Sequence, residues 1–207
     1  MLKNQNKNQK FQGADILNEE TKPSLDTDNT PKDFELINGN RLESETRLSV
    51  DEYFITIARI VAQRSTCLRR KVGAVLVRDK QILSTGYNGA PSGIPHCTKE
   101  RCLRLKNNMD SGKNLDLCYA VHAEANAIIQ AALHGTDISG DTTLYVTAFP
   151  CISCLKMILN AKIQKIVYLE EYKEENPIKL QLIKESGIKC VHFTPNEKKM
   201  KTLRDYF

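Results

Sequence analysis

The chain of 207 residues has no apolar run approaching the length of a membrane span. No apolar core follows Met1, so a secretory signal is not expected. No stretch repeats internally, which suggests one domain plus an extension. The extension is residues 1–47, rich in Asn, Gln, Lys, Asp and Glu, with sparse apolar residues in no sustained period. It is too acidic and too poor in arginine for a mitochondrial transit peptide. Its composition reads as a polar, disordered or loosely attached tail, with a partner-binding or oligomer-wrapping arm as the other reading. What is present is a hydrophobic fraction of 41%, ordinary for a globular domain. The net charge of +5 is unevenly spread: residues 1–47 carry −2 and residues 48–207 carry +7. A basic domain fits an anionic ligand such as a nucleotide, and equally a solvated surface. Seven cysteines without a secretory signal point to a reducing, cytoplasmic compartment and to metal ligation.

Two short segments carry the chemistry: Val121-His122-Ala123-Glu124 and Pro150-Cys151-Ile152-Ser153-Cys154. His122 offers an imidazole nitrogen, and Cys151 and Cys154 offer two thiolates. One His and two Cys suit Zn²⁺ and leave a fourth tetrahedral position open for water. Glu124 is not needed as a ligand and is free to move protons. Alone, Cys-x-x-Cys reads as a redox pair or half of a structural zinc site, and His-Ala-Glu means little. Together, in this order, they are specific and resemble the zinc deaminase signature.

The surrounding pattern places both segments. Ser49-x-x-Glu52 is a candidate capping box, followed by Val50, Phe54, Ile57, Ala58 and Val61 on one helical face. That helix is expected to end near Arg64–Thr66. Val72–Val77 reads as a buried strand, Asp79-Lys80 as a turn and Gln81–Gly86 as its antiparallel return. A Gly- and Pro-rich loop then runs from Gly86 to about Cys118 without regular structure. His122–Leu133 has helical spacing, and Thr142–Thr147 is a strand candidate. Pro150 suits the start of a helix running to about Ala161, so two helix N-termini would converge on one metal. Ile166–Leu169 and Ile188–Phe193 read as strands, Pro177–Ser186 as a helix closed by Gly187, and Asn196–Tyr206 as a basic terminal helix. Strands and helices alternate from Val121 onward, so that part of the sheet is expected to be mostly parallel.

These residues resemble the deoxycytidylate (dCMP) deaminases of the cytidine deaminase superfamily, a branch that includes late competence deaminases. The resemblance runs from about Tyr53 to His192. It rests on Arg64-Ser65-Thr66-Cys67, Val72–Val77, Gly86-Tyr87-Asn88-Gly89, His122–Ala127, Leu144–Thr147 and Pro150–Cys154. Residues 1–47 lie outside it. It implies an α/β fold in three layers, a five-stranded mixed sheet with helices on both faces. It also implies a homo-oligomer, typically a hexamer, that converts dCMP and water to dUMP and ammonia for thymidylate synthesis. Activation by dCTP and inhibition by dTTP come with it, and no membrane or nucleic-acid partner is expected. In the implied mechanism, zinc held by His122, Cys151 and Cys154 activates water for attack on C4 of cytosine. Glu124 moves the proton to N3 and then helps ammonia leave. A tRNA adenosine, free-base or dCTP deaminase is an alternative, as is a non-catalytic zinc protein of DNA uptake. The intact Glu124 argues against the last of these.

Two further groups are expected. A phosphate pocket would draw on Arg69, Lys71 and Tyr172, with Asn88 on the sugar; the resemblance favours Arg69 over Arg70. Tyr172 follows a strand at its carboxyl end, where open α/β sheets bind ligands. A second, structural zinc would be held by Cys67, Cys97, Cys102 and Cys118, which flank or occupy the long loop, with His96 able to replace one of them. Cys190 stands apart in the final strand as an inert core residue.

Overall fold

The computed structural model describes residues 47–110, 117–171 and 176–195. The expected helix over Asn196–Tyr206, residues 1–46 and Tyr172 lie outside these. Ser49 opens α1 (Val50–Ala62) with a capping box. The Glu52 N–H donates to Ser49 Oγ at 3.2 Å, and the Ser49 N–H donates to the Glu52 carboxylate at 2.7 Å. Such a cap is worth about 1 kcal/mol. The buried stripe is Phe54, Ile55, Ala58 and Ala62, with Ile57 and Val61 half-buried. Val50, expected on that face, is exposed. The polar cap holds the first turn, and apolar contact with the sheet begins only at Phe54.

Five strands form one sheet in the order β2-β1-β3-β4-β5. They are β1 (Gly73–Arg78), β2 (Gln81–Tyr87), β3 (Gly140–Ala148), β4 (Ile163–Glu170) and β5 (Lys189–His192). β1 is antiparallel to both β2 and β3, whereas β3, β4 and β5 run parallel. Asp79 and Lys80 join β1 to β2 with φ of 51° and 61°, the left-handed conformation that two-residue hairpins require. β3 and β4 extend beyond the apolar runs visible in the sequence, because ladder pairing continues through polar residues such as Lys165.

Side chains alternate between the two faces, as the pleat dictates. Val75, Val77, Tyr145 and Val167 meet α1 on one face. Ala74, Leu76, Leu144, Val146, Ile166 and Tyr168 meet α3 (Ala123–Leu133) and α4 (Ile152–Asn160) on the other. α5 (Pro177–Ser186) adds Leu182 and Ile183 to that second face and ends at Gly187, whose φ of 68° terminates the helix. The result is the three-layer α/β arrangement with a five-stranded mixed sheet. Two glycines set how closely the layers approach. A Cβ on Gly73 would lie 2.1 Å from the Ala58 carbonyl oxygen of α1, and one on Gly86 would lie 2.2 Å from that of Ala123 in α3. The long loop between β2 and α3 is not wholly irregular: it contains a short helix, α2 (Leu103–Lys106).

Candidate active site

β2, β3 and β4 all end on the side of the sheet where α3 and α4 begin. His122 is the N-cap of α3 (φ −73°, ψ 156°) and Cys151 the N-cap of α4 (φ −69°, ψ 167°). Pro150 therefore precedes the α4 cap rather than starting the helix, because the cap needs the extended backbone that Cys151 adopts. Neither side chain caps its own helix, which leaves both to converge. His122 Nδ1 lies 3.4 Å from Cys151 Sγ and 3.4 Å from Cys154 Sγ. All three donor atoms fall within 4.8 Å of one another. The donor set fits zinc: tetrahedral angles with Zn–S near 2.3 Å and Zn–N near 2.0–2.1 Å place N and S roughly 3.6 Å apart. Among the described residues no other three His, Cys, Asp or Glu donor atoms come so close.

The two thiols are electrostatically linked. Cys151 is pushed well below the ordinary thiol value, chiefly by a hydrogen bond from the Cys154 thiol and then by His122, against the effect of burial. Cys154, the donor of that bond, is pushed up. His122 is held above the ordinary imidazole value, first by its bond with Cys151; burial is the main opposing effect, with a smaller one from the charge of Arg104. Glu124 sits in the first turn of α3 and is 4% exposed. Burial raises its carboxyl above the usual range, opposed by its own backbone N–H and by His122. A carboxyl tuned upward by desolvation can both accept and return a proton. It stands outside the three-donor group, as a proton shuttle should.

His122, Glu124 and Cys151 line a cavity of about 280 Å³ together with Arg69, Arg70, Asn88, Arg104 and Phe149. Asn88 is buried, and three of its four side-chain hydrogen-bonding positions are taken. Its Oδ1 accepts from Ser65 Oγ at 2.7 Å and from the Val72 N–H at 2.8 Å, and its Nδ2 donates to the Arg70 carbonyl at 2.8 Å. It therefore pins residues 65–72 against the Gly86–Gly89 turn, with one N–H left for the cavity. Arg70 is ion-paired to Glu170 at 2.6 Å. Arg69 instead keeps a buried Nη1 with no partner among the described residues. Lys71, expected in the phosphate pocket, does not line it: its Nζ donates to Gln63 at 3.3 Å on the exposed side.

Cys67, Cys102 and Cys118 all lie within electrostatic reach of Cys97. The Cys97 thiol is raised first by burial and then by the charges of Cys67, Cys118 and Cys102. Their sulfurs are not gathered as tightly as the His122 group. Cys67 and Cys118 also line the cavity. Cys190 packs against the core, and burial raises its thiol. The residue that sequence reasoning missed is Arg104. It lies on α2, 18 positions before His122 and with no motif around it, and only the fold brings it to the cavity.

An α/β/α sandwich with three protein donors at two helix starts, and a buried carboxylate beside them, defines a metal site of the catalytic kind. Residues 48–170 match the family described as the cytidine and deoxycytidylate deaminase zinc-binding region. The chain belongs to that family. It is 34% identical over 163 residues to the deoxycytidylate deaminase of Schizosaccharomyces pombe, a match that covers 79% of this chain but about half, 48%, of that protein. It is 44% identical over 126 residues to the deoxycytidylate deaminase of Mycobacterium phage D29, covering 58% of this chain and 94% of that one. The crystal structure of the dCMP deaminase of cyanophage S-TIM5 in complex with dCMP and dUMP superposes with a TM-score of 0.57. Sequence identity there is 28%, over 71% of this chain and all of that one.

Proposed function

We propose that this chain hydrolyses dCMP to dUMP and ammonia and so supplies dUMP for thymidylate synthesis. The observation that carries the reading is the buried Glu124 carboxylate beside the His122, Cys151 and Cys154 donors, in one cavity with Arg69. The dCMP and dUMP bound by the cyanophage relative support the choice of substrate. Zinc, when bound by His122, Cys151 and Cys154, supplies the Lewis acidity that makes water a nucleophile near neutral pH. Glu124 takes a proton from the attacking water and delivers it to N3 as the C4–O bond forms. It then takes the second proton from the new C4 hydroxyl and passes it to the amino nitrogen, as the C4 carbonyl forms, the C4–N bond breaks and ammonia leaves. Arg69 holds the phosphate, with Tyr172 as a further contact, and the remaining Asn88 N–H reaches the sugar. Ammonia release from dCMP, dCTP, deoxycytidine and tRNA, measured side by side, tests this. Turnover of dCMP should exceed the others, and faster turnover of tRNA or deoxycytidine would overturn it.

The same reading takes residues 48–207 as the catalytic domain and residues 1–47 as a polar extension. It includes a cytoplasmic location, a homohexamer, activation by dCTP and inhibition by dTTP. Sedimentation, and rates measured with and without each triphosphate, test the last three. It also includes a second, structural zinc on Cys67, Cys97, Cys102 and Cys118, for which the four-cysteine neighbourhood is the support. Metal-replete protein should hold two zincs per chain and fall to one in a Cys97→Ser/Cys102→Ser variant. A stoichiometry of one in the parent protein would remove the second zinc.

A further inference from the structure

Arg104 has no part in the chemistry above, yet it is among the most buried charges of the domain, at 8% exposed. Its Nη2 donates to the Asp110 carbonyl at 2.7 Å, which fixes the plane of the guanidinium. Its Nε is buried with no partner among the described residues, and so is Nη1 of Arg69. Both arginines line the cavity that holds His122 and Glu124. A buried donor left unsatisfied costs about 1–3 kcal/mol, and more when it carries charge. Two such guanidinium groups in one cavity also repel each other. An anion bound between the two guanidinium groups offsets that repulsion. A phosphate monoester is the chemically matched choice, because it carries up to two negative charges and its oxygens suit the planar fork of arginine.

The local chain explains why two arginines so distant in sequence are brought together. Arg69 follows Cys67 by two residues, and Arg104 follows Cys102 by two. Both cysteines belong to the cluster that raises Cys97. The two segments thus both pass near Cys97, and one arginine of each stands beside the cavity. The charge of Arg70 is already engaged by Glu170.

We infer that Arg104 is the second arm of an anion clamp, opposite Arg69, that binds the 5′-phosphate and makes the enzyme prefer a pyrimidine nucleotide to its nucleoside. The inference rests on the dCMP reading and adds a specificity-determining residue to it. Removing one charge-assisted phosphate contact should lower the preference, the ratio of kcat/KM for dCMP to that for deoxycytidine, by about ten- to hundredfold. The experiment compares Arg104→Gln, Arg104→Lys and the parent protein on both substrates, with inorganic phosphate as a competing anion. The expected result is a ten- to hundredfold loss of preference in Arg104→Gln, weaker inhibition by phosphate, and partial recovery in Arg104→Lys, which keeps the charge but not the fork. Should Arg104→Gln fail to fold, Arg104→Lys alone should still lose preference several-fold. An equal fall on both substrates with a lower melting temperature would make Arg104 a strut for the loop through Asp110 and overturn the clamp. Parent protein that turns over deoxycytidine as well as dCMP would instead remove the dCMP reading itself.

Discussion

Replacing Gly86 by alanine adds one methyl group at the seam between the sheet and the helix that carries His122 and Glu124. The new Cβ would lie 2.2 Å from the Ala123 carbonyl oxygen, 2.3 Å from the Ala127 nitrogen and 3.0 Å from its Cα. All three are backbone atoms of α3, so no side-chain rotation relieves the contact. Ordinary van der Waals separation begins near 3.4 Å, so α3 must withdraw from β2 by at least about 1 Å. The seam is also tied by Ser84 Oγ, which donates to the Ala127 carbonyl at 2.8 Å and would be stretched by the same movement. Overpacking of this kind costs about 1–3 kcal/mol. For a domain of this size that lowers Tm by about 2–12 °C. The catalytic cost is expected to be larger. Because α4 is not pushed, the withdrawal separates His122 and Glu124 from Cys151 and Cys154, and a 1 Å misplacement can cost about 100-fold in rate. Thermal denaturation monitored by circular dichroism, with kcat/KM for ammonia release, would measure both effects. A Gly86→Ala protein that melts within about 1 °C of the parent and works within about twofold of its rate would refute the claim that this contact sets the site.

Other perturbations have defined outcomes. Glu124→Gln keeps the shape of the buried carboxyl and removes its proton chemistry, so metal analysis should find zinc retained while turnover falls about 10²–10⁴-fold; near-normal activity with full zinc would exclude Glu124 from the mechanism. Asn88→Ala strips three hydrogen bonds from residues 65–72 and should cost about 1–3 kcal/mol in denaturant unfolding; an unchanged midpoint would show that the pin is dispensable. The Tyr168 phenol is pushed up to about 12 by burial and by its hydrogen bond to Glu171. The unfolded phenol loses its proton near 10 while the folded one keeps it, so stability falls as pH rises from about 10 towards 12. Tyr168→Phe should flatten that part of the curve, and identical alkaline profiles would contradict the shift.

Much of this protein was legible in one dimension. The three donors and Glu124 are readable because the chemistry demands fixed residue types at short spacing, and a helix start satisfies that spacing locally. The α1 cap was legible for the same reason: Ser49 and Glu52 meet within a single turn. Alternation and apolar runs placed all five strands, although not their ends, since ladder pairing does not stop where apolar residues do. The features that escaped are those made by distant segments. Lys71 was expected in the cavity and instead donates to Gln63 on the exposed side, a partner supplied by the end of α1. Asn88 was expected to serve a ligand and is mostly spent on holding residues 65–72, a use set by partners 16 to 23 positions away. Arg104 carries no motif and reaches the cavity only because the long loop folds back against the His122 segment. The sequence alone determined the three candidate metal donors, the carboxylate beside them and the alternation of elements, since each depends on neighbours along the chain. Which cations face the ligand was decided by the tertiary structure, since burial and charge at a point in space are sums over segments that the chain brings together only by folding.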